Sequence, residues 1–183
     1  MSVRRAGKLA VLVLLGIAVQ VLASGPYLSG LTAQFKNQKV VVSFGVGNAF
    51  DRQDLKEAIK STRPVTITFT VELIRHRLLW KDKVVARKII HRTITYDNLT
   101  HQYRIVTLIK DKKVDEHVVG GWEDMRQYAG HVHDIELTSV ANLKPGEGQY
   151  SVRARVTLIS SFILWIIPWD VETPWVSQEL KTP

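Results

Sequence analysis

The residues with the clearest capacity for chemistry lie in one short stretch, His131-Val-His133-Asp134-Ile-Glu136. Two imidazoles two positions apart share one face of an extended chain, and the neighbouring carboxylates could extend a metal's ligand set. Zinc sites need three or four converging ligands, and the other histidines (His76, His91, His101 and His117) are scattered singly. The plainer reading is a polar loop entering a strand at Ile135. No metal and no other cofactor is expected. Gly45-Val-Gly47 lacks the third glycine of a dinucleotide fingerprint, and no Gly-x-Ser-x-Gly elbow occurs. The chain has no cysteine, which excludes thiol catalysis. Glu123 and Asp124 are adjacent and read as decoration of a helix start. No catalytic residue is assigned, and the chain is read as a protein that is not an enzyme.

A second stretch stands out for its apolarity. Phe162 to Trp169 are eight consecutive apolar residues with two tryptophans, and Trp175 follows closely. The run is too short to span a bilayer and contains Pro168. Alternate residues of a strand face opposite ways, so either both faces are covered or some side chains reach a partner or a membrane interface, where tryptophan is favoured. Phe162, Leu164, Trp165, Ile167, Trp169 and Trp175 are therefore the candidates for partner or apolar contact.

The N-terminus explains where such a domain would work. Arg4, Arg5 and Lys8 precede an apolar run from Leu9 to Val19, and Val21 and Ala23 stand where a signal peptidase requires small residues. This is the pattern of an export signal, with cleavage expected between Ala23 and Ser24. The alternative is an uncleaved helix tethering the chain to the inner membrane, but the run falls short of the roughly 20 residues a span needs. The expectation is a periplasmic protein exported by the general secretory route: residues 1–23 a signal peptide, residues 24–183 a single domain. Without cysteine that domain has no disulfides, and its length allows a self-sufficient core. Removing Arg4, Arg5 and Lys8 lowers the formal net charge from +8 to +5, and the remaining basic residues are dispersed. Export and dispersion argue against nucleic acid and leave a membrane surface or an acidic protein face open.

Strand patterning dominates what must position these groups. Val65, Ile67, Phe69, Val71 and Leu73 alternate with Thr66, Thr68, Thr70 and Glu72, which predicts a half-buried strand. The apolar phase then moves to Ile74, Leu78 and Trp80, which predicts a β-bulge between Leu73 and Arg75. Lys81-Asp82 is expected to turn the chain into a partner strand from Lys83 to Tyr96, and Asp97 to Thr100 into a third containing Tyr103 to Ile109. Lys36 to Lys39 reads as a turn before a strand ending at Val46. Asp51 to Ser61 reads as a short amphipathic helix capped by Asp51, and Glu123 to Tyr128 as a second. Strands are further expected at Ile135–Val140 and from Tyr150 to Leu158, the latter with Ser151, Arg153, Arg155 and Thr157 on a wet face. The pattern predicts a mainly β fold, an antiparallel β-sandwich of immunoglobulin-like or similar type with one or two short helices, or a small barrel.

Particular segments resemble a known family: Leu31-Thr-Ala-Gln, Arg63-Pro64-Val65, the stretch from Val71 to Lys83, Tyr96-Asp-Asn-Leu-Thr-His-Gln-Tyr103, and the late Trp169-Asp170 and Trp175. Together they resemble the exported bacterial domain-of-unknown-function family 4390, over most of residues 24–183 and most strongly from Leu55 to Tyr103. The resemblance brings no catalytic residues and adds nothing to the His131 cluster. It implies a neighbourhood at the inner membrane, since in some proteobacteria members are encoded beside a membrane sensor kinase of nitrogen-regulatory type. The expected function is thus a non-enzymatic periplasmic interaction domain with a protein partner at the inner membrane. The alternatives are a carrier or sensor of an apolar ligand such as an acyl chain, and a metal-dependent enzyme using His131 and His133.

Overall fold

The computed structural model describes residues 25–181 except 145, 147 and 164–166, with the backbone alone described for 159–163 and 167–170. The Ala23–Ser24 junction and the segment before it lie outside the described residues. No helix among the described residues is long and apolar enough to cross a membrane.

The alternation starting at Val65 does form a strand. Val65, Ile67, Phe69, Val71 and Leu73 are all at most 2% exposed and face inward along β3 (Val65–Arg77). The strand lies near the middle of a large antiparallel sheet. On one side it pairs with β4 (Trp80–Asp97), which continues the meander to β5 (Gln102–Ile109) and β6 (Lys112–Val119). On the other it pairs with β8 (Tyr150–Ile163), flanked in turn by β10 (Val176–Leu180) and β9 (Ile167–Glu172). A smaller sheet covers the inner face: β1 (Tyr27–Lys36), β2 (Lys39–Gly47) and β7 (His131–Ser139), in that order. The result is a two-sheet antiparallel sandwich, as the patterning predicted.

Between the sheets, Phe44 meets Phe69 with ring centroids 5.7 Å apart, and Val40, Val42, Val132, Val152, Ala154 and Val156 are fully enclosed. Burial on this scale, at about 25 cal/mol per Å² of apolar surface, is what holds a domain without disulfides. Two short helices close one end. In α1 (Gln53–Lys60), Leu55 and Ile59 face the core. In α2 (Trp122–Gly130), Met125 and Ala129 do so, and Trp122 packs edge-on against Phe50 and Tyr103.

Several local expectations change. Asp51 does not cap α1: the N-cap is Arg52, held by Asp54, and the Asp51 carboxylate accepts from Arg126 at 3.0 Å. The expected bulge is present between Leu73 and Ile74, but its extra residue, Val85, sits in β4, because β3 keeps an unbroken register with β8. The hairpin turns at Leu78-Leu79, with Arg77 opposite Trp80, so Lys81-Asp82 belongs to β4. The Arg77 Nε donates to the Lys81 carbonyl at 3.1 Å and closes the turn early. Strands β1 and β6 were not foreseen: β6 carries no clear apolar alternation, whereas in β1 the alternation of Leu31, Ala33 and Phe35 with Thr32, Gln34 and Lys36 was overlooked. The expected wet face of β8 is partly covered: Ser151 is buried against His76, and Thr157 against Glu172 of the neighbouring strand.

Candidate functional site

Three places on the described surface combine unusual chemistry with defined geometry, and the first is the histidine stretch. Helix α2 runs directly into β7, leaving no residues for a loop, so His131 and His133 lie in a strand and on one face. Their rings are parallel within 6° with centroids 5.9 Å apart, and His131 Nδ1 lies 2.8 Å from the Gln127 carbonyl. The carboxylates do not join them. Val42 pairs with Ile135 and Phe44 with Val132, so β7 carries one extra residue, and Asp134 adopts a φ of 48°. This bulge turns Asp134 onto Lys36 at 2.5 Å, while Glu136 binds Lys39 at 2.6 Å. The ammonium groups of Lys36 and Lys39 hold these carboxyls below the usual carboxylate range. Among the described residues, no group of three or more such side chains could hold a metal ion.

A cleft of about 560 Å³ opens beside α2, lined by His117, Tyr128, His131, His133 and the inward-pointing Arg92. Its strongest cation is already committed. The Arg92 guanidinium donates to the carbonyls of Tyr128, at 2.6 Å, and of His131, satisfying the C-terminal end of α2. Burial lowers its pKa to about 10. A second cleft of about 420 Å³ lies on the other flank of α2. Both are lined mainly by polar and charged residues, and the space between the sheets is filled by the core, so neither cleft suits an acyl chain.

The second place lies on the outer face of the large sheet. Glu72, 1% exposed, is held by Arg87 Nε at 2.5 Å and by Arg153 through Nε and Nη2 at 2.8 and 2.7 Å. Burial pushes its carboxyl up, but the guanidinium groups of Arg153 and Arg87 outweigh this and leave it below the ordinary value. Half-buried Trp175 lies beneath both Arg153 and Arg155, whose guanidinium carbons stand 4.4 and 4.8 Å from its ring centroid. Of the residues singled out from the sequence for contact, Trp175, in the connection between β9 and β10, is thus engaged against Arg153 and Arg155 of β8. Phe162, Ile167 and Trp169 fall on β8 and β9, where Ser160 pairs with Trp169 and Ile163 with Ile167, so the apolar run folds back as a hairpin. Their side chains, and Leu164 and Trp165 altogether, lie outside the described residues.

Sequence reasoning missed the third place, the tip of the β3–β4 hairpin. Leu78 is 100%, Leu79 87% and Trp80 78% exposed. All residues from His76 to Val84 are exposed, so the hairpin stands clear of the sandwich. Its base is nonetheless fixed. His76 bridges strands, with Nδ1 2.9 Å from Asp82 and Nε2 2.7 Å from the Ser151 hydroxyl, and its backbone N–H donates to Gln149 at 2.8 Å. Arg77, Lys81 and Lys83 flank the apolar tip, and Asp82 is occupied by His76. Reading Leu78 and Trp80 as strand alternation concealed this. The available signal was three large apolar residues in succession between basic ones, which no half-buried strand accommodates.

No curated protein and no solved structure matches this sequence. A family model does match, from residue 23 to residue 178, which includes both sheets, both helices and the exposed tip. The chain therefore belongs to the domain-of-unknown-function family 4390.

Proposed function

We propose that the protein is a non-enzymatic interaction domain of the cell envelope, exported by its N-terminal segment, that docks at the membrane through the β3–β4 tip. The observation carrying this reading is the succession Leu78-Leu79-Trp80, held out on a braced hairpin at near-complete exposure. Apolar side chains of this size cost solubility unless something covers them, and a fixed base means little ordering is needed on docking. The resemblance in sequence to proteins encoded beside a membrane sensor kinase supports an inner-membrane setting. The separated carboxylates around His131 and the polar linings of the clefts favour this reading over a metal enzyme or an acyl carrier.

The test is photocrosslinking in the producing cell, with a photoreactive residue at Leu79 and, as control, at Leu99, a 93% exposed residue in the turn at the opposite end of the large sheet. Position 79 should give adducts with a membrane lipid or a defined inner-membrane protein, identified by mass spectrometry, and position 99 should not. Equal labelling at the two positions, or none at 79, would refute the docking reading.

A further inference from the structure

The chemistry of the tip also identifies what covers it. Resting on the docking reading above, we infer that Leu78, Leu79 and Trp80 insert into the interface of an anionic phospholipid bilayer, with Arg77, Lys81 and Lys83 against the headgroups. The residue order matches the layering of such an interface. Apolar groups occupy the extreme of the hairpin, and an indole beside them suits the boundary between acyl chains and headgroups. Cations follow within one to three residues on both strands.

Charge decides between a bilayer and a protein groove. Among the described residues no carboxylate pairs with Arg77, Lys81 or Lys83, and the one acidic residue of the tip is taken by His76. More basic residues stand behind it. The turn at Asn37-Gln38 and the turn at Lys110-Asp111 lie toward the same end of the sandwich, since Lys88 of β4 reaches the Glu136 carbonyl of β7 and Ile90 pairs with Ile109. Lys110 and Lys112 therefore share that end with the tip, whereas Lys36, Lys39 and Lys113 there are paired with Asp134, Glu136 and Glu116. Each Lys or Arg close to an anionic surface raises affinity about fivefold at physiological ionic strength. The three flanking cations together then give on the order of a hundredfold, a preference a neutral surface cannot reproduce.

The lack of cysteine makes the test specific, because Leu79→Cys introduces the sole thiol for an environment-sensitive fluorophore. The full chain so labelled is mixed with vesicles of phosphatidylglycerol and phosphatidylethanolamine, or of phosphatidylcholine alone. The expected result is a blue shift and emission rise with the anionic vesicles only, reversed by high salt and quenched by shallow lipid-borne quenchers. A label at Leu99→Cys should stay silent. Replacing Lys81 and Lys83 together with Ser, which leaves the Arg77 bond that closes the turn intact, should lower the apparent affinity about thirtyfold while thermal unfolding is unchanged. Equal responses to both vesicle types overturn the anionic requirement. A label already blue-shifted without vesicles shows a second copy covering the tip and overturns the lipid assignment. Silence with all vesicles, alongside in-cell crosslinks from position 79 to a membrane protein, rejects lipid and leaves the docking reading standing. Silence in both experiments rejects both.

Discussion

Replacing Arg153 with Met tests the reasoning about Glu72 most directly. The substitution keeps much of the side-chain volume but deletes two of the three bonds reaching the Glu72 carboxylate, at 2.8 and 2.7 Å, and leaves only Arg87 at 2.5 Å. Removing one partner of a fully buried ion pair costs about 3–5 kcal/mol. Here one guanidinium remains, and the Arg153 side chain is 36% exposed, so water already screens part of the interaction. We expect a loss of about 2 kcal/mol, which for a domain of this size lowers Tm by about 4–8 °C. The double variant Glu72→Leu with Arg153→Met removes the stranded charge and should recover to within about 1 kcal/mol of the unchanged protein. Urea titrations of the four proteins give the coupling energy directly. The pH dependence supplies a second reading. Because the folded Glu72 carboxyl lies below its ordinary value, its contribution is present above the ordinary carboxylate pKa and lost as pH falls through the depressed folded value. In Arg153→Met, burial is less opposed and the folded value rises, so the Glu72-linked loss of stability on acidification shrinks and the gap between the two proteins narrows at low pH. A loss under about 0.5 kcal/mol, or a coupling energy near zero, would show that the triad contributes nothing beyond surface ion pairing.

Two further outcomes follow from the backbone and the histidines. Gly148 has φ +125°, and a Cβ there would stand 2.2 Å from the His76 carbonyl oxygen, so Gly148→Ala should cost about 1–3 kcal/mol in thermal unfolding and loosen the hairpin base. Replacing His131 and His133 together with Ala should leave stability equally insensitive to a chelator in parent and variant. A parent that loses several degrees in chelator when the variant does not would restore the metal reading.

The sandwich was legible because its central strands carry period-two patterns that only a half-buried sheet explains. Val65 to Leu73 and Val152 to Leu158 show this best. Strand β1 was legible in the alternation of Leu31, Ala33 and Phe35 but was overlooked, whereas β6 was not legible, since this edge strand buries too little to constrain alternate residues. In β6, Val114 and Val118 remain 55% and 48% exposed. The bulge was visible as a phase change, but sequence could not say which strand held the additional residue, because a register shift is a property of a pair. The tip was hidden for a related reason. Leu78 and Trp80 fit an alternation that tertiary structure does not continue, and the turn they form contains none of the Gly, Pro, Asn or Asp residues that usually announce one. At His131 the face was legible, whereas the direction of Asp134 depended on a bulge with no sequence mark.

The pairing of β2 with β7 and of β3 with β8 bears on how the chain reaches this state. Lys39 meets Ser139 and Thr66 meets Ile159, so neither sheet can be completed until most of the polypeptide exists. Contacts this remote carry a large loop-closure cost before any burial rewards them, which slows folding relative to a local meander. A chain emerging from its N-terminus accordingly cannot complete its core through most of its synthesis, with only the β1–β2 hairpin and the β3 to β6 meander able to associate early. Under the export proposed above, that delay would leave the chain thin enough to thread through a translocation pore and would commit the closing of the core to the far side.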